Sequence, residues 1–281
     1  MNNLAKGVAR LLPRSVRNFL RAPGRALRWR WQQGQPAVSF SPVNGWSFRC
    51  PPSAVEGAFH LQLDDPPQVA EFAEFMRAIN AYRSPLFFDI GCHFGLFSFA
   101  VVDRCGNASR AVAIDPSGLA CAMVRRIAET NGWGSKIQVL CAAAGSQRGE
   151  IEMIDAGATS AGYFVLPTDQ PARDRVRVPV RTIDDLAAEV GPPDLIKIDV
   201  EGFEGEVLAG AEKTLDQGRC LLFLEMHNRL MRDRNADPAA VLGQLAKFGY
   251  VHFSCAGNPV DERQILAEEI IRIVVCNQPP V

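Results

Sequence analysis

From Leu86 onward the chain alternates short hydrophobic runs with amphipathic stretches, and this alternation constrains the fold more than any other feature. The runs Leu86–Ile90, Ala111–Ile114, Ile137–Leu140, Leu195–Val200 and Cys220–Glu225 are dominated by apolar residues. Strands of that kind have to be covered on both faces, as they are in a parallel sheet. Between them, Pro116–Thr130, Glu204–Leu215 and Pro238–Phe248 carry helical spacing. Strand and helix in repetition predict a doubly wound α/β domain with right-handed crossovers, covering residues 84–281. Near its end, Tyr250–Ser254 and Ile271–Cys276 flank a polar loop and read as an antiparallel hairpin.

Two segments precede that domain. In residues 36–83, short apolar runs among Pro and Gly predict irregular strands. The prolines Pro66 and Pro67 then open a helix whose apolar residues Val69, Phe72, Phe75, Met76 and Ile79 suit a lid or packing element. Residues 1–35 form a basic head. Between Met1 and Trp31 stand eight of the 30 Lys and Arg residues and no acid. Arg10, Arg14, Arg17 and Arg21 with Phe19, Trp29 and Trp31 suit peripheral contact with an anionic membrane surface. A solvated tail is an equal reading, because Pro13 and Pro23 interrupt the helix. A transit peptide ranks third, since Ser is scarce there.

Removing the head leaves 22 bases against 31 acids, a net charge of −9. An acidic body argues against nucleic acid as a partner. The eight cysteines are scattered without a C-x-x-C pair, which suits reduced thiols in the cytoplasm. No apolar run is long enough for a membrane span, and no secretory h-region opens the chain.

Chemistry gathers at the carboxyl ends of the expected strands, where open α/β sheets bind ligands. Asp89-Ile90-Gly91-Cys92-His93-Phe94-Gly95 follows the first strand. Its glycines let a cofactor approach the backbone. The loop lacks the third glycine of a dinucleotide fingerprint, and Asp89 would repel a pyrophosphate. A carboxylate there suits a cationic cofactor such as S-adenosylmethionine. Asp115, at the end of the second strand, can accept from ribose hydroxyls or cap the following helix. Asp199 and Glu201 leave a third strand, and Glu225 and His227 leave a fourth.

Taken together, these residues resemble the FkbM family of class I S-adenosylmethionine-dependent methyltransferases. The likeness is carried by Asp89, Gly91, Gly95 and Ser98, by Asp115-Pro116, and by Leu224-Glu225-Met226-His227. Its most specific stretches are Val178–Leu186 and Leu195–Ala211. Where the family has Ala-Asn, this chain has Cys92-His93. The resemblance implies a Rossmann-like, mostly parallel, seven-stranded sheet, with S-adenosylmethionine held by Asp89, Gly91, His93, Gly95, Asp115 and Asp199. It further implies O-methylation of a hydroxyl on a sugar, glycolipid or polyketide-like acceptor.

An alcohol is protonated at neutral pH, so a base within reach should assist the transfer. The candidates are His227 and Glu201, with Asp199 nearer the cofactor's amino group. A divalent metal held by Asp199, Glu201 and Glu225 would also activate a hydroxyl, but the three acids suffice to orient cofactor and acceptor, and no metal is expected. The competing readings are a membrane-associated protein that retains the fold without catalysis, and an NAD-dependent oxidoreductase. Residues 36–81 and Asp155–Arg173 are expected to shape the acceptor pocket. The sequence carries no signal for oligomeric state.

Overall fold

The computed structural model describes residues 35–55, 61, 63, 65–154 and 175–277. The basic head and the expected pocket segment Asp155–Arg173 lie outside the described residues. The chain divides into two compact units, residues 1–60 and 61–281.

In the first unit, β1 (Val38–Val43) and β2 (Trp46–Cys50) pair antiparallel around a turn at Asn44-Gly45. Gly45 has a φ of +79°, which such a turn needs and glycine supplies without strain. Along β2, Trp46, Phe48 and Cys50 are buried while Ser47 and Arg49 are exposed, the period-2 alternation of a one-sided strand.

The second unit opens with helix α1 (Pro66–Ile79), capped by Asp65, whose Oδ1 accepts from the Gln68 N–H at 2.8 Å. Its buried face is Glu71, Phe72, Phe75 and Ile79, whereas Val69 is 45% exposed. Phe75 packs against Phe87 and Phe223, with ring centroids 5.3 and 5.0 Å away, so α1 is a packing helix against the sheet.

The strands that follow are β3 (Leu86–Ile90), β4 (Arg110–Asp115), β5 (Ile137–Cys141), β6 (Ala143–Ala144), β7 (Gly149–Ile154) and β8 (Arg175–Arg181). After them come β9 (Leu195–Ile198), β10 (Leu221–Met226), β11 (His252–Cys255), β12 (Asn258–Pro259) and β13 (Ile271–Cys276). The central sheet has the order β12-β11-β13-β10-β9-β3-β4-β5. Strands β10, β9, β3, β4 and β5 are mutually parallel, and β13 joins antiparallel to both β10 and β11. This is the expected seven-stranded sheet with the two-residue β12 added at one edge. The switch point lies between β3 and β9, where the order turns from one half of the fold to the other. Main-strand residues such as Phe88, Ile90, Ile196, Ile198, Leu222 and Leu224 fill the core at 0–1% exposure.

Several elements differ in detail from the sequence expectation. The loop between the two terminal strands holds β12 and a helix, Glu262–Ala267, started by a full capping box at Asp261 and Gln264. The helix expected over Glu204–Leu215 is two, Glu204–Ala209 and Glu212–Asp216. The break is at Gly210, where a Cβ would lie 2.1 Å from the carbonyl oxygen of Gly145. A second sheet, β6-β8-β7, was not anticipated; Val178 and Val180 point inward to meet Ala143 and Met153. Among the described residues no helix is long and apolar enough to cross a membrane. All eight cysteines stand as free thiols.

Candidate active site

The ends of β3, β4, β9 and β10 surround a cleft of about 480 Å³, a size typical of small-molecule sites. Gly91 opens the turn after β3 with a φ of +78°. A Cβ there would sit 1.8 Å from the carbonyl oxygen of Asp199, so the missing side chain lets this turn press against the end of β9. The turn is anchored on the other side as well, since the N–H groups of Gly91 and Cys92 both donate to the Ile114 carbonyl. Gly95, at φ +80°, caps helix α2 (Leu96–Arg104) and packs close to Val124.

Asp115 bridges two loops. Its Oδ2 accepts from the His93 N–H and its Oδ1 from the Ser117 N–H, both at 2.8 Å. The second bond delays the following helix to Gly118–Thr130, with Ser117 as its cap. Burial pushes the Asp115 carboxyl up to about 7, against the downward pull of those two bonds. His93 stacks on Phe94, centroids 4.1 Å apart, and both line the cleft with Gly91 and Asp115.

Asp89 lies behind this wall. Its Oδ2 accepts from the N–H of Ser98 at 3.1 Å and from its hydroxyl at 2.7 Å, fixing the first turn of α2. Burial raises its pKa to about 6 in spite of those bonds. Neither Asp89 nor Gly95 is among the cleft-lining residues, whereas Gly91, His93, Asp115, Asp199, Glu201 and His227 all are.

The opposite wall is a closed ring of alternating charge. Asp199 Oδ2 lies 3.1 Å from Lys197 Nζ, and Lys197 lies 3.7 Å from Glu71. Glu71 stands 3.4 Å from Arg272, which pairs with Glu225 at 2.6 Å. His227 Nε2 completes the circuit, 3.7 Å from Glu225 and 3.9 Å from Asp199. Glu201 Oε2 approaches the same Nε2 at 3.6 Å. Behind the imidazole, Nδ1 lies 2.9 Å from Oε1 of the fully buried Glu204, which also accepts from the Gly202 N–H.

These contacts set the charges. Burial alone would lift Asp199, but Lys197 and His227 hold it below the usual carboxylate range. Burial would lower Lys197, and the surrounding Asp199, Glu71 and Glu225 raise it instead. Glu225 is pushed up to about 8, first by burial and then by Asp199. Burial depresses His227, yet the Glu204 hydrogen bond and the neighbouring carboxylates carry it to about 9. Glu201 is raised chiefly by burial.

Sequence reasoning missed Glu71, Lys197, Arg272 and the anchoring role of Glu204. Glu71 left a signal, since it shares with Phe75 and Ile79 the i, i+4, i+8 face that α1 buries. The third wall of the cleft, formed by Ala142–Ala144, Ile151 and Met153, belongs to the unanticipated second sheet and its approach.

The family model described as the methyltransferase FkbM domain matches residues 89–251. The chain belongs to this family. A search of curated proteins finds no significant match. Among solved structures, the chain is similar to the methyltransferase FkbM of Methylobacillus flagellatus KT, with 17% identity and a TM-score of 0.43 over 76% of this chain. It spans 55% of that protein's length. It is also similar to the precorrin-6y C5,15-methyltransferase of Geobacter metallireducens GS-15, at 11% identity and TM-score 0.46, covering 79% of this chain and 95% of the other. A third is the O-methyltransferase of Bacillus cereus in complex with SAH, at 12% identity and TM-score 0.41, covering 76% and 83%. The assignment to the FkbM family rests on the domain match.

The methyl donor of such a domain is S-adenosylmethionine, and the cleft fits it. Ile114, Ala142 and Met153 give an apolar wall for a purine, Asp115 offers carboxylate oxygens at the strand end, and the acids of the charge ring face the cationic end.

Proposed function

We propose that this FkbM-family protein methylates a hydroxyl oxygen on a sugar, glycolipid or polyketide-like acceptor. The observation that carries this reading is the convergence of Asp199, Glu201 and His227 on one wall of the cleft, beside the glycine turn. S-adenosylmethionine, when bound, supplies a methyl group on a positively charged sulfur. In-line displacement of that kind depends mainly on holding the nucleophile at the right place and distance. Gly91 and His93 bound the cofactor part of the cleft, and Asp115 accepts from the ribose hydroxyls.

Of the two candidate bases, Glu201, whose pKa burial raises, draws the proton from the acceptor hydroxyl, with His227 and Asp199 beside it. The sequence assigned Asp199 to both cofactor and catalysis. With one oxygen on Lys197 and the other facing His227, it belongs with the catalytic pair. Lys197 and Arg272 fix the surrounding carboxylates, so the wall is rigid before any substrate arrives. Eight free thiols go with a reducing compartment, and we place the protein in the cytoplasm. Contact of the basic head with a membrane surface would bring a lipid-linked acceptor within reach.

Calorimetric titration with S-adenosylmethionine and S-adenosylhomocysteine tests the core of this reading, beside Asp115→Ala and Asp89→Ala. Binding by the wild type that is lost in Asp115→Ala, followed by turnover on hydroxylated glycan or lipid acceptors, supports it. A folded wild type that binds neither ligand removes it.

A further inference from the structure

One nitrogen of the charge ring faces the open cleft. His227 has a side chain only 4% exposed, and its Nδ1 is spoken for by Glu204. Its Nε2 points into the cleft, with Asp199, Glu201 and Glu225 oxygens at 3.9, 3.6 and 3.7 Å. All three are too distant for a hydrogen bond. Among the described residues Nε2 therefore has no hydrogen-bond partner. An imidazole whose outer nitrogen faces the cleft among three carboxylates, and is hydrogen-bonded to none of them, leaves room for a ligand between them.

One group of Asp199, Glu201 and His227 atoms, one ligand atom each, lies within 4.8 Å of one another. Ligand atoms about 2.1 Å from an ion stand roughly 3 Å apart when cis and about 4.2 Å apart when trans. The observed spacings of 3.6 and 3.9 Å to Nε2 fall inside that range. The anchor on the far side of the ring matches as well. Imidazoles that bind metals almost always give their other nitrogen to a carboxylate or carbonyl, which fixes tautomer and orientation. Glu204 does this with a carboxylate of 0% exposure. The backbone also holds Glu201 at a φ of +53°, a conformation that a non-glycine residue adopts only when its surroundings impose it.

We infer that Asp199, Glu201 and His227 bind a divalent transition-metal cation such as Mn²⁺ at the wall facing the acceptor. Mixed carboxylate and imidazole ligands with open positions suit such an ion. Held there, it would take an oxygen of the acceptor as a further ligand and favour its ionised form. Compared with a site of Asp199, Glu201 and Glu225, this set exchanges Glu225 for the imidazole. This inference rests on the methyl-transfer reading and specifies how the three residues act.

Mn²⁺ alone is the probe. Its free electron-paramagnetic-resonance signal is followed during titration with the full chain, for the wild type, Asp199→Asn and Glu201→Gln. Calorimetry with S-adenosylhomocysteine runs in parallel, and circular dichroism reports folding. One Mn²⁺ per wild-type chain, bound at least tenfold more weakly by both variants while Glu201→Gln keeps its fold and its S-adenosylhomocysteine affinity, supports the site. Absence of Mn²⁺ binding, or equal binding by wild type and variants, overturns it. If S-adenosylhomocysteine still binds in that event, the methyl-transfer reading stands without the cation; if it does not, both fall.

Discussion

His227 and Glu204 meet at 2.9 Å, Nδ1 to Oε1, in a place that solvent does not reach. The same carboxylate oxygen holds the N–H of Gly202, so one side chain fixes both the imidazole and the turn that presents Glu201. Glu204→Ala leaves those two donors buried without an acceptor. We expect a loss of about 1–3 kcal/mol in urea-denaturation stability. S-adenosylhomocysteine binding should persist, since Glu204 does not line the cleft. Unchanged stability would mean that water replaces the carboxylate there.

Gly91→Ala should be far more damaging than its size suggests. The new methyl would sit 1.8 Å from the Asp199 carbonyl oxygen, and φ at +78° already disfavours any side chain. The backbone turn would have to separate from β9, at a cost of at least ~3 kcal/mol. A melting temperature within a degree or two of the wild type would contradict this packing.

Asp115 gives a pH signature. Its folded-state pKa, pushed up to about 7 by burial, lies above the ordinary value of 3.8. Its contribution to stability is thus fully present below about pH 4 and is lost as pH rises through 7. Relative to Asp115→Asn, the wild type should lose urea stability between pH 5 and pH 7.5. The direction is opposite to that of a salt-bridged surface acid such as Asp185, which Arg148 holds down at about 2. Parallel pH profiles for wild type and variant would show that Asp115 is ionised throughout.

Arg272→Met should cost about 3–5 kcal/mol, because it strands two buried carboxylates, Glu225 and Glu71, that the guanidinium now faces. Adding Glu225→Gln to the variant should recover part of the loss. Additive effects in this double-mutant cycle would argue against direct coupling.

The parallel strands were legible because each is a short apolar run covered on both faces, and the acids at their ends stand out against that background. β8 escaped notice for the opposite reason. It is half-exposed, and Val176, Val178 and Val180 alternate with Arg175, Arg177 and Arg181, a period-2 pattern that a search for continuous runs passes over. Asp89 shows another limit. A carboxylate at a strand end has one local signature whether it faces a ligand or an adjoining helix turn, and only the fold distinguishes them; here it holds Ser98. Lys197 was visible as a cation within an apolar strand. Its partner Glu71 lies 126 residues earlier, and no local pattern links the two.

The position of β13 also bears on how the molecule is made. It comes last among the strands, yet it lies inside the sheet, hydrogen-bonded between β10 and β11. During synthesis, β10 therefore waits with an open edge until some 45 further residues have emerged, a stage at which such edges invite wrong pairing. Arg272 arrives on that same strand. The nascent domain can assemble its glycine turn and its acids early, but their charges are balanced only when β13 slots into place. Closure of the sheet and completion of the active-site wall are a single late event in the life of the chain.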